Sequence, residues 1–360
     1  MILSRIVPGF FCLVSLSCAE GTVAPSPNGQ NNSGYGATFT EATFLVLRVG
    51  DGTSTLSSGV ASPVFVDQLN TVNGAWVQTL SVAPTAVGTQ APLTLTGADG
   101  EGSLSLSNFQ HYVTFAGYNV PAGAATTGAT SVTVGSIGNT IALVDTTTTD
   151  DALTGGFGLV TSAVRWGSDV WVASSEGIDY VTFGADNPSP ARFLSVPVAG
   201  ELQIVGGVLN STSTTTGGLW VSNIALPVNV TDGSGPWSAE LTPLATGAST
   251  DGFVFIDTAS SGVANLLYTA SPVAGLQRWT WDSLTSAWDL STTLGSQGFN
   301  HVTAFVNTDA TVTVIGTTTG GAAILEWVDD GVSATIPVQT LASSPNPGML
   351  RYAGVSLIPQ

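Results

Sequence analysis

The sequence predicts an all-β fold, a single β-propeller of six blades, from three observations. Short apolar or alternating runs are separated by Gly, Pro, Asn, Asp and Ser turns, and no amphipathic helix interrupts them after Phe39. Groups of such runs recur at about fifty residues. The two ends of the chain each carry part of one further group. Composition agrees: 43% of residues are hydrophobic, only 8% are charged, and the missing polarity comes from Thr, Ser, Asn and 43 glycines. That mix suits strands and turns and lacks the Glu and Lys that wet helix faces use.

The repeat is read from four-strand groups. One runs LVTSAVRWGS (159–168), DVWVASSEG (169–177), IDYVTFGADN (178–187), ARFLSVPVAG (191–200). Another runs FNHVTAFVNT (299–308), ATVTVIGTTTG (310–320), AAILEWVDDG (322–331), ATIPVQTLAS (334–343). Shorter groups begin at GSLSLSNF (102–109), LQIVGGVLN (202–210) and GFVFIDT (252–258). Innermost strands therefore start near 102, 159, 202, 252 and 299, one blade per repeat. The last segment, MLRYAGVSLIP (349–359), reads as the inner strand of a sixth blade. The rest of that blade lies at the front: FLVLRVG (44–50), PVFVDQLN (63–70) and AWVQTLSVA (75–83). Pairing the C-terminal strand with these closes the ring and removes exposed edges. A further unit within 84–158 would make seven blades.

Ahead of the propeller (39–360) stand two other segments. Residues 1–19 read as a signal peptide: Arg5, an apolar run from Ile6 to Leu16 too short to span a bilayer, and small residues Ser17 and Ala19 before the cut. Residues 20–38 read as a flexible tether rich in Pro, Gly, Ser and Asn. The protein is thus expected outside the cell or in the envelope, free or lipid-anchored through Cys18, with no transmembrane segment after signal removal. Cys12, the other cysteine, lies inside the signal, so no internal disulfide is available. Asn31, Asn210 and Asn229 head Asn-x-Ser/Thr sequons, which matter only in a glycosylating host.

Six arginines, no lysine and 24 acids leave a net charge of −18. Such a chain cannot neutralise a run of phosphates, which excludes nucleic acid as a partner. A monomer that meets a protein or carbohydrate ligand is the expected state.

The segments LVLRVGDG (45–52), PVFVDQL (63–69), EGSLSLSNFQHYVTFAGYN (101–119), LQRWTWD (276–282) and MLRYAGVSLIP (349–359) resemble a set of exported β-propeller-like proteins that carry no assigned activity. The resemblance implies the fold and adds no chemistry. This chain departs from the pattern at Arg278, where Lys is expected, and at Tyr352 and Ala353, which intervene between Arg351 and Gly354.

No catalytic, phosphate-binding or metal motif stands out. The Gly-rich stretches 214–218 and 316–321 open no helix, and His111 and His301 have no metal spacing. One pattern does: Glu101, Glu201, Asp251, His301 and Arg351 share a repeat phase, at or just before an inner strand. In a ring they would gather at one mouth of the axial channel, where such groups can carry acid/base work. The plain alternative is that polar residues occupy any exposed turn. Trp279 and Trp281 of WTW alternate onto one strand face, as a sugar-stacking platform or as inter-blade packing. Asp150-Asp151 and Asp329-Asp330 could supply oxygen ligands to Ca²⁺, although their spacing matches no known loop. No other cofactor is expected. The leading reading is a non-enzymatic binding protein for a partner or glycan. The other is a polysaccharide hydrolase or lyase using the carboxylates at the channel mouth.

Overall fold

The computed structural model describes residues 39, 42–107, 111–139, 144–151, 158–175, 177–187, 191–194, 199–213, 218–221, 226 and 250–359. Residues 1–38, with the signal peptide, the tether, Cys18 and Asn31, lie outside these, as do Asn229 and Trp237. The described residues are all-β. No helix among them is long and apolar enough to cross a membrane.

The N-terminal strands β1 (Thr43–Val49), β2 (Ser62–Asn70) and β3 (Trp76–Ser81) form an antiparallel meander. A two-residue strand, β4 (Thr94–Leu95), links β2 to the next group, β5 (Ser105–Leu106), β6 (Tyr112–Tyr118), β7 (Val132–Gly138) and β8 (Val144–Asp150). Three further sheets follow. The first holds β9 (Val160–Trp166), β10 (Asp169–Ser174), β11 (Gly177–Thr182) and β13 (Ala191–Leu194), with β12 (Asp186–Asn187) pairing back onto β8. The second holds β14 (Ala199–Val205), β15 (Val208–Ser213) and β16 (Leu219–Val221). The third holds β17 (Gly252–Ile256), β18 (Leu266–Ser271), β19 (Gly275–Asp282) and β20 (Ala287–Gly295). A last four-strand sheet, β21 (Phe299–Val306), β22 (Val312–Thr318), β23 (Ala323–Asp329) and β24 (Val338–Ser343), precedes β25 (Arg351–Leu357). β25 returns to the front and pairs antiparallel with β1, Phe44 opposite Leu357 and Val49 opposite Arg351.

The stretch 84–158 is long because a loop and β4 bridge two sheets. Among its described residues it contributes β5 to β8 and no further four-strand group.

The core lies between neighbouring sheets. Phe44, Val46, Ile315, Ile324 and Tyr352 join the β21–β24 sheet to the terminal strands. Tyr268, Leu276, Phe299, Val302 and Trp327 join it to the β17–β20 sheet on its other side. Strands buried on both faces, such as TFLVLRV in β1, read as unbroken apolar runs for that reason. Trp279 belongs to this packing: it is 3% exposed, sits with Leu219, Phe253 and Leu267, and its indole N–H donates to Thr269 Oγ1 at 3.0 Å. It cannot serve as a sugar platform. Trp281 is 37% exposed and meets Trp288 edge-on at 5.4 Å.

Two buried arginines are paired. Arg48 meets Asp67 at 2.6 Å on β1 and β2. Arg278, where the resemblance expects Lys, meets Asp329 at 2.6 Å, and Tyr268 donates to the same carboxylate at 2.8 Å. Asp329 is therefore committed to the core. Asp330 caps its own turn through the Val332 and Ser333 amides. Among the described residues no three His, Cys, Asp or Glu side chains are grouped to hold a metal ion. Asn210 is buried in β15, its amide donating to the Val208 carbonyl, which is no place for a glycan.

Candidate functional site

Each sheet presents one strand to the interior: β5, β9, β14, β17, β21 and β25. These strands touch in that order, and β25 touches β5 again. Glu101, Glu201, Asp251, His301 and Arg351 all lie at the starts of these strands, on one side of the molecule. None sits in an exposed turn. Their exposures run from 0% for Glu101 to 6% for Asp251. The expectation of solvated turn residues is thereby corrected: the loop 96–101 covers them, and Asp99 on it reaches the far side. Asp99 Oδ1 accepts the Gly320 amide at 3.0 Å and Asn300 Nδ2 at 3.4 Å. The Gly-rich turn at 316–321 thus receives a side-chain carboxylate.

Glu101 is fully engaged. Oε2 accepts the Thr96 amide at 2.8 Å and Thr96 Oγ1 at 2.9 Å, and Tyr118 donates its hydroxyl to Oε1 at 2.7 Å. Arg351 donates Nη2 to the Thr96 carbonyl at 3.2 Å, while its Nε and Nη1 have no hydrogen-bond partner. Glu201 accepts Gln203 Nε2 on Oε1 at 2.6 Å; Oε2 has no hydrogen-bond partner and lies 3.7 Å from His301 Nδ1, ion-pair range but too long for a hydrogen bond. Asn300 Oδ1 and both His301 ring nitrogens are likewise buried without hydrogen-bond partners.

Burial dominates the electrostatics. It pushes the carboxyls of Glu101 and Glu201 up, against the pull of Tyr118 and Arg351 on the first and of His301 on the second. Asp251 is pushed up to about 6 by burial and by Asp99, with His301 opposing. Burial lowers Arg351, with Glu101 and Asp99 opposing.

From this polar end an axial cavity of about 530 Å³ runs along the inner strands. Its wall is largely apolar, with Leu104, Ile204, Val254, Ile256, Val302 and Val355 among the lining residues. Glu201 and Gln203 stand at the closed end. Gly206, Asp257, Val306 and Leu357 mark the opposite end, where the strands finish. Glu101, Asp251, His301 and Arg351 lie behind the closed end and not on the wall.

Phase alone located five of these residues. It missed Asp99, Tyr118, Gln203 and Asn300. Gln203 was legible, since two residues after Glu201 on a strand is the same face. Tyr118 was not, because its hydroxyl arrives from the second strand of the sheet.

No protein-family model and no curated protein matches this sequence. Solved structures do. A chain of the Nidogen/Laminin complex superposes with a TM-score of 0.50 at 11% identity, over 87% of this chain and 97% of that one. The periplasmic gluconolactonase PpgL of Pseudomonas aeruginosa superposes at 0.47 with 14% identity, over 84% of each chain. At such identities the likeness is one of architecture, and this chain has a β-propeller-type fold.

Proposed function

We propose that this chain is an exported, non-enzymatic binding protein, a closed six-bladed propeller that takes a small, mainly apolar ligand into its axial channel. The cyclic order of contacts among the inner strands and the β25–β1 pairing support the ring. The observation that carries the function is the cavity. At about 530 Å³, apolar-walled and ending on a few convergent polar groups, it has the size and lining of a small-molecule site. The polysaccharide hydrolase or lyase reading has less behind it: the carboxylates lie under the loop 96–101, where a polymer cannot reach them, and Glu101 already accepts three hydrogen bonds.

The neutral dye Nile red tests this. Its emission should shift to the blue in a saturable way with the wild-type protein. Val254→Trp, which puts an indole into the channel, should abolish the saturable component while the thermal midpoint stays close to wild type. No saturable uptake, or uptake indifferent to the substitution, would refute the channel as the site.

A further inference from the structure

We infer that the ligand of the axial channel carries an amine, held by Glu201 at the closed end; this rests on the channel reading. The ionisable residues on the channel wall are both carboxylates, Glu201 and Asp257. The cationic groups nearby, His301 and Arg351, stand behind the wall. Glu201 is 3% exposed, and its Oε1 is held by Gln203, whose amide is itself anchored on the Phe253 carbonyl. Its Oε2 is left without a donor. A buried carboxylate oxygen in that condition is costly, and folds rarely leave one so. Asn300 Oδ1, behind it, is a second acceptor without a donor.

The group that answers these features brings hydrogen-bond donors and positive charge on an apolar body. A protonated amine does both: it offers N–H donors to Oε2 while its carbon chain lies along Leu104, Ile204, Val254 and Val302. A carboxylate in the same place would face Glu201. The chain's net charge of −18 attracts cations and repels anions at longer range. Asp257, at the open end, is held ionised by the Gly262 and Ala259 amides and adds to that field.

Calorimetric titration with octylamine, octanol and octanoate separates the head group from the tail. Octylamine should bind about tenfold or more tighter than octanol, the size of one charge-assisted hydrogen bond. Octanoate should be the weakest. Glu201→Gln should bring octylamine down to the level of octanol, and Asp257→Asn should weaken octylamine less than Glu201→Gln does. Equal affinities, or preference for octanoate, would overturn the amine and leave the channel standing. Failure of all three to bind, octanol included, would remove the channel and the amine together. The head-group order in the wild-type protein decides the matter even if a variant does not fold.

Discussion

Glu326 on β23 shows what a single buried charge does in this chain. It is 8% exposed, its Oε2 has no hydrogen-bond partner, and burial pushes its carboxyl up to about 7. A carboxyl whose folded value lies above its unfolded one holds its proton in the fold over a range where the unfolded chain has lost it. Stability therefore falls as pH rises from the ordinary glutamate range through about 7, and the full penalty is felt above that. Glu326→Gln keeps the shape and removes the ionisation. We expect it to raise the unfolding free energy at pH 8 by about 1–2 kcal/mol and to leave it nearly unchanged at pH 5. Urea midpoints at the two pH values check this; a gain equal at both would mean that ionisation is not the cause. Arg48 and Arg278 contrast with it, since each buried charge there meets its partner at 2.6 Å.

At the scale of elements, the contact between β25 and β5 depends on a missing side chain. A Cβ on Gly354 would lie 2.4 Å from the Gly102 carbonyl oxygen and 2.5 Å from the Leu104 amide nitrogen. Both neighbours are backbone and cannot swing away. Gly354→Ala must push β25 off β5, at the junction where the C-terminal strand meets the first full four-strand group. The expected cost is about 1–3 kcal/mol, the range for overpacking a dense interior. A thermal or urea melt measures it, and an unchanged midpoint would mean that the two strands have room to part. The same junction forms one wall of the channel through Leu104 and Val355, so the variant should also weaken uptake of the dye.

The whole molecule is held at its seam by β25. Seven residues, RYAGVSL, pair with β1, and six of them are buried. Deleting 351–360 would expose β1, buried along its whole length, as an unpaired apolar edge. It would also strip Arg351 from the polar end and Val355 from the channel wall. Each large apolar side chain lost from the interior removes about 1.5–3 kcal/mol, and several together approach the roughly 5–15 kcal/mol that keeps a domain folded. The truncated protein is expected to be insoluble, as a sedimentation assay after expression would read. A soluble product with a cooperative melt would show that the ring does not depend on its seam.

The sequence by itself determined the strand content, the fifty-residue spacing and the split sheet at the ends. These follow from local causes: turn residues break the chain at short intervals, and strands buried on both faces stay apolar throughout, as in β1 and β18. It also placed five polar residues at one phase, because equal positions in equal repeats fall on one side of a ring. It missed β7, whose VTVGSIG mixes small and polar residues, and misread Trp279, because periodicity says which residues share a face and not what covers that face. The tertiary structure alone decided that the polar residues are buried. Asp99 reaches Asn300 and Gly320 two hundred positions away, and no local pattern encodes so distant a contact. It also decided which oxygen of Glu201 is left without a donor, since that depends on where Gln203 and His301 come to rest around it.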